Sequence, residues 1–531
     1  VDQVAAPERD IADLTRPLAV VRYTAIGFAV WTVAAATVAV LRADRAWIIA
    51  HVPDDAFYYL EIGNRLSRGE GATFDGIHET NGFHPLWQGI TTVLARAFHG
   101  DGLVRAALLT SIVFTAVALV VLARLASRVV GPTAAAVGLA VSLHSTVVLS
   151  RLVDGMESSV TLLALALFAA AVVRARREPS ERRLVVCGAA FGFVVLARLD
   201  VLAVVPIAAI AVVLLFGARR ALLAGAGAAA VVAPYLAWNL VVFGQLLTVS
   251  GSVKLHYTDS LTGGLFTMAR WDAIRSAAAD YGHAVLGAVG DSAVLGHPSL
   301  VGGAMLVAAG LGAWWLLRAR VARAPAVALA LVLLLVIAKA AFDVVASPFD
   351  ATSWYAGAPL AILSFAIGSL AWVAIEQACR QAPRPDLALI GTGVVLVAVL
   401  GAPRPIADDT PNPWRDAGAE SIAELQAHPP PGRLGAFDAG QVGFYLDPYP
   451  VSNLDGLAND ADFEHLVVDD APFEDRYRAA DIDFVVNLFI PVGHLRAPRP
   501  TCGVQVWQSS IEVVPGQHLV VLDLRPCGFS R

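Results

Sequence analysis

The chain has 531 residues, 57% of them hydrophobic and only 15% charged, with a formal net charge of −6 and a mean hydropathy of +0.65. A soluble globular protein carries about 25% charged residues, so a soluble enzyme is excluded and no nucleic-acid partner is expected. Of the 38 basic residues, only Lys254 and Lys339 are lysines; the arginine and alanine bias fits a GC-rich bacterial genome.

Recurrent apolar runs predict a polytopic α-helical membrane protein. Eleven spans are expected, at 23–41, 103–123, 131–149, 158–173, 184–197, 201–217, 221–242, 299–317, 325–342, 354–375 and 386–402. No cleavable signal peptide is expected, because residues 1–18 are polar and no A-x-A-like site follows the first run. Five alternate connections ("ARLASR", "RARREPSERR", "GARR", "RARVAR", "RQAPR") hold fourteen arginines, whereas the short connections between them hold only Arg151 and Arg198. By the positive-inside rule the N-terminus is cytoplasmic. An odd number of spans then puts the tail outside a bacterial plasma membrane.

The predicted organisation is a membrane domain over 1–402, with a large first outer loop at 43–102, and an extracytoplasmic domain over 403–531. Within the first loop "PLWQGITTVLARAF" (85–98) reads as a helix lying at the interface. In the tail, Pro-rich punctuation ("GAPRP", "HPPPG") precedes a helix at 414–428 and strands at 433–437, 451–455 and 483–487, a small α/β unit.

Chemistry concentrates on the outer side. Asp54 and Asp55 in "HVPDDAFYYLEIGNRL" begin a helix; a helix cap and a catalytic role are both open to them. "GEGATFDGIHETNGFHPLW" adds His78, Glu79, Asn81 and His84 in a Gly-rich loop suited to a ligand cleft, with Trp87 reading as an interface anchor. A divalent metal on Asp55 or His84 is a further option, although the spacing is not that of a metal motif. Arg151, Arg198, Lys254 and Lys339 break the arginine asymmetry on the outer face. Ionisable groups at that depth need partners. Acids such as Asp154 and Asp200 would serve, and so would a lipid phosphate.

In order along the chain, "DDAFYY", "HPLW", "DGMES" (154–158), "LARLD" (196–200), "PYLAWNLVVFGQLLTVSGSVK" (234–254), "WYAGAPL" (354–360) and "FDAGQVGFYL…VSNLDGLAN" (437–459) resemble the GT-C superfamily of membrane glycosyltransferases. The likeness is greatest to actinobacterial arabinofuranosyl- and mannosyltransferases of the cell envelope. It implies inverting transfer of a sugar from a polyprenyl-phosphate donor to an acceptor hydroxyl of an envelope glycan or glycolipid on the outer face. It implies Asp54, with Asp55 beside it, as general base. Arg198 and Lys254, with His256 and Arg151, would hold the donor phosphate. Tyr58, His78, Glu79, Asn81, His84, Trp354 and Tyr355 would line the substrate path. "LARLD" departs from relatives that place Pro before the acid, which leaves the role of Asp200 open. Cys502 and Cys527 fall on the oxidising side, and the sequence leaves their pairing open.

A lipid or solute transporter is the competing reading, since polytopic spans with intramembrane charge fit that class too. Against it, the acids lie in an outer loop rather than at the midplane, and no inverted repeat is visible.

Overall fold

In the computed structural model the described residues are 14–290, 298–318, 323–400, 413–487 and 499–529. The "GAPRP" linker, the centre of "RARVAR" and most of the N-terminal polar stretch lie outside them. Each of the eleven expected segments carries a helix. Among the described residues, eight helices are long and apolar enough to cross a membrane, and a ninth span arises if Pro132–His144 and Thr146–Leu152 count as one. That pair bends by 76° at Ser145, whose extended backbone (φ −78°, ψ 125°) interrupts the i→i−4 ladder.

The two remaining segments are short. Pro385–Leu400 has 16 residues. Glu181–Ala197 has 17 residues and charge in its first turn. The latter lies tightly on Ala218–Phe243. A Cβ at Gly188 would run into the backbone of Ala224, and one at Gly227 into that of Val185. Close approach of small residues is how helices associate where lipid offers no hydrophobic drive. Leu214, Val241 and Leu317 are each 80% or more exposed on the outer circumference of the helix bundle, which suits an acyl rather than an aqueous surround. This is a membrane protein.

Three helices fill the first outer loop: Arg45–His51, Asp54–Arg68 and Pro85–Ala95. Asp54–Arg68 starts after Pro53, carries both acids in its first turn, and stops at Gly69 in the left-handed region (φ 81°). It is embedded in the protein, with Phe57, Leu60 and Ile62 fully buried. Pro85–Ala95 opens with Pro at its first position. Trp87, which would be an interface anchor if this were an ordinary surface loop, is fully buried. Its indole N–H donates to the Gly155 carbonyl at 2.8 Å, tying this helix to the "DGMES" turn.

The tail begins with the helix Pro413–Ala427 and holds one mixed five-stranded sheet, β1 (Leu434–Ala436), β2 (Val451–Asn453), β3 (Phe484–Asn487), β4 (Val504–Val514) and β5 (Gln517–Asp523). The order is β2-β1-β3-β5-β4, with β1 parallel to both neighbours and β5 antiparallel to both of its own. Cys502 and Cys527 form a disulfide that closes the ends of the β4–β5 segment.

The tail seats on the helix Asp54–Arg68. Phe57 meets Phe444 and Tyr445 at ring separations of 5.4 and 5.7 Å. Each such buried ring contributes about 2–3 kcal/mol. Arg65 and Arg68 both reach Asp447, Arg68 at 2.7 Å. The tail helix Gly440–Leu446 meets the outer helix at Gly440, where a Cβ would sit 2.8 Å from Asp54 Oδ2, so only glycine allows this approach.

Candidate active site

Consecutive residues of a helix are about 100° apart around its axis, and the two leading acids accordingly face different neighbours. Asp54 turns into the tail. Its carboxylate accepts the N–H groups of Gly440 (2.8 Å) and Gln441 (2.7 Å), capping Gly440–Leu446. Burial raises its pKa, and Asp438 adds to the rise, against those two backbone donors. Asp55 faces a cavity instead. Its Oδ2 lies 3.4 Å from Lys254 Nζ, with the two side chains 20% and 18% exposed. Burial raises the Asp55 pKa, and Lys254 opposes that rise.

The cavity encloses about 270 Å³ at the junction of the outer loop, the helix Val249–Thr262 and the "WY" turn at 354–356. Its lining includes the polar side chains of Asp55, Tyr58, Tyr59, His84, Glu157 and Lys254. The larger part is apolar, with Leu202, Leu246, Leu247, Leu255 and Phe342. Such a lining accepts a ligand with a charged head and a hydrocarbon tail.

Behind the polar wall is a charge network. Arg198 donates to Glu157 at 2.8 Å and grips Asp200 with two nitrogens, at 2.7 and 3.2 Å. Lys339 lies 2.8 Å from Asp200 and also pairs with Asp343. Glu157 accepts from the Tyr59 hydroxyl at 3.0 Å. His84 Nδ1 accepts the Leu199 N–H at 3.1 Å, which leaves Nε2 to carry the proton 3.8 Å from Glu157. Burial lowers the His84 pKa, so the ring is a neutral spacer. Around the ring of Tyr355 stand three cations: Arg198 at 4.2 Å, Lys254 at 5.3 Å and Lys339 at 5.7 Å. Lys254 also lies over Trp354 and donates to the Tyr355 hydroxyl at 3.3 Å. Its pairing with Asp55 at 3.4 Å is the loosest of the Lys and Arg contacts to carboxylates in this network, which makes it the cation most open to an exchange of partner.

Of the residues expected at the site, Asp55, Tyr58, His84, Lys254, Trp354 and Tyr355 line the cavity, and Arg198 stands behind it. Asp54 does not line it. Arg151 is held by the carbonyls of Thr352, Ser353 and Val147 and supports the "WY" turn. His256 pairs with Asp470 of the tail. His78 pairs with Asp75 at 2.6 Å, which raises the His78 pKa. Glu79 is exposed in the same loop. Asn81 bridges to Val249 and Leu247, fixing the outer loop against the Lys254 helix. Asp200 pairs with Arg198, the acid partner offered for it above; Glu157 and Tyr59 join the site as additions, Glu157 carried by "DGMES" without an assigned role.

The metal option finds no converging donor set. Asp55 is paired to Lys254, His84 Nδ1 is used by a backbone N–H, and no cluster of three His, Cys, Asp or Glu suited to an ion occurs among the described residues.

Comparison with known proteins follows the same lines. A family model described as dolichyl-phosphate-mannose-protein mannosyltransferase matches residues 85–238. No curated protein is similar enough in sequence to register as a relative. Among solved structures, ArnT from Cupriavidus metallidurans, bound to undecaprenyl phosphate, aligns at a TM-score of 0.51 with 15% identity, over 93% of this chain and 98% of that one. The Archaeoglobus fulgidus oligosaccharyltransferase aligns at 0.46 with 14% identity, over 88% of this chain and 70% of that one. With this overall similarity to ArnT over nearly the whole of both chains, the chain has the GT-C fold.

Proposed function

We propose that the protein transfers a sugar from a polyprenyl-phosphate donor to an acceptor hydroxyl at the outer face of the membrane. The observation that carries this reading is the Asp55–Lys254 pair on the wall of a largely apolar cavity. The apolar lining would take the prenyl chain. Lys254 would take the phosphate as a point charge, held by Trp354 and Tyr355, with Arg198 behind the ring adding to the field.

A sugar ring is wider than a 3.4 Å contact, so the pair opens when the donor enters. Lys254 then exchanges one carboxylate for the phosphate, and Asp55 loses the cation that held its pKa down. The base thus becomes stronger once the donor is seated. The acceptor oxygen attacks the anomeric carbon from the face opposite the phosphate and its proton goes to Asp55. The carbon–oxygen bond to phosphate breaks through an oxocarbenium-like transition state. The polyprenyl phosphate leaves as an anion, stabilised by Lys254. Asp54, the base implied by the family likeness, keeps the tail in place, which brings Leu457 to the cavity wall.

The donor sugar, arabinofuranose or mannose, and an envelope glycan or glycolipid acceptor belong to this proposal. So does the orientation with a cytoplasmic N-terminus, which rests on the arginine distribution. Protein in liposomes, given labelled polyprenyl-phosphate arabinofuranose or mannose and an envelope glycan fraction, is expected to form a new glycosidic bond and release polyprenyl phosphate. Label that crosses the bilayer with no bond formed would instead establish the transporter.

A further inference from the structure

A second cavity lies at the opposite end of the bundle, between Asp101–Val130, Ser158–Arg177 and Glu181–Ala197, and encloses about 1190 Å³. Six arginines line it: Arg124, Arg128, Arg174, Arg177, Arg182 and Arg183. The lining carboxylate is Glu178, and it pairs with Arg183. None of the other five forms an ion pair with a described carboxylate.

Topology alone asks for arginines in these connections, but not for their convergence. Arg124 and Arg128 stand one turn apart on one helix, and Arg174 and Arg177 do so on the next. Like charges at these spacings repel each other and destabilise a helix. The arginines of the other cytoplasmic connections, Arg219, Arg220, Arg380 and Arg384, do not line this space. The hairpin therefore gathers unneutralised charge in one concavity, and an anion would relieve it. The deeper wall is apolar, with Val121, Leu125, Ala171 and Val173. Leu167 and Val186 on its rim are 49% and 53% exposed, and they continue onto the face that meets acyl chains.

We propose that this cavity binds the head group of an anionic phospholipid from the cytoplasmic leaflet, with the arginine forks on its phosphates and an acyl chain against Leu167 and Val186. A free polyphosphate shares the head-group chemistry but has no use for the apolar rim. The site is separate from the sugar-transfer cavity; only the choice of leaflet rests on the orientation proposed above.

Delipidated protein is incubated with phosphatidylglycerol, diphosphatidylglycerol or phosphatidylcholine, and retention is read by native mass spectrometry, with inorganic pyrophosphate as the soluble arm. The anionic lipids are retained over phosphatidylcholine, and pyrophosphate does not displace them. The triple change Arg124→Gln, Arg174→Gln, Arg182→Gln weakens retention roughly 100-fold, and the same three changed to Lys recover most of it. Should the triple variant fail to insert, Arg124→Gln and Arg174→Gln singly each give about a fivefold loss. Equal retention of phosphatidylcholine, unchanged binding in the Gln variants, or pyrophosphate binding as tight as lipid overturns the proposal.

Discussion

The two cavities of the bundle treat charge in opposite ways. At one end, Arg198, Lys254 and Lys339 are matched by Asp55, Glu157, Asp200 and Asp343, each within an ion pair. At the other, six arginines face one glutamate. A pre-paired network is rigid and holds its groups in fixed places before any ligand arrives, as electrostatic catalysis needs. An unpaired cluster is poised to gain its counter-charge from outside. On the two proposals above, pairing separates a site built for chemistry from one built for capture.

The comparison breaks first at the network itself. Arg198→Met leaves Glu157 buried without its cation and Asp200 with Lys339 alone, and costs about 3–5 kcal/mol of stability, read as a fall in the thermal midpoint in detergent. A variant as stable as the parent would mean the outer network is not holding the site. Lys254→Met removes the phosphate cation and lowers kcat by about 10²–10³-fold, the range for loss of one charge-stabilising donor. It also moves the acid limb of the pH profile. The Asp55 pKa is already raised, so activity falls on acidification above the usual carboxylate range; without Lys254 the limb shifts further up. A limb that stays put separates Lys254 from Asp55.

Asp54→Asn loses an acceptor to one of the two backbone donors it caps and costs about 1–3 kcal/mol in tail docking, seen as faster hydrogen exchange over 440–446. The smallest effect sharpens the same seam. Burial raises the Glu61 pKa to about 8, and the Asp447 charge adds to the rise, against the neighbouring Arg65. A carboxyl pKa raised on folding stabilises at low pH and loses that contribution as pH rises from about 4.3 to about 8. Glu61→Gln is expected to flatten the pH dependence of the thermal midpoint across that window. A slope unchanged by this substitution assigns it to another group.

Much of the architecture was legible because membrane helices announce themselves by length and apolarity. Eleven helical segments, the outer-loop helix at Pro85 and three strands of the tail were readable from pattern. The hairpin β4–β5 was missed, although alternation on either side of Pro515-Gly516, with Gly516 at φ 75°, was there to be read. At the site, Lys254, Trp354, Tyr355 and His84 were found, because polar or aromatic residues at the outer membrane edge are conspicuous. Which of Asp54 and Asp55 faces the cavity was not legible. Neighbours on a helix differ by about 100°, and only the packing of the tail, some 380 residues later, fixes the rotation. Glu157 was hidden for a related reason: its partners Tyr59, His84 and Arg198 come from three separate segments.

The most direct measurement compares turnover of Asp54→Asn and Asp55→Asn side by side, at a temperature where both keep the tail docked. With Asp55 as the base, its loss lowers kcat by about 10²–10⁴-fold while Asp54→Asn retains most activity. The reverse order, or equal turnover in both, would contradict the account.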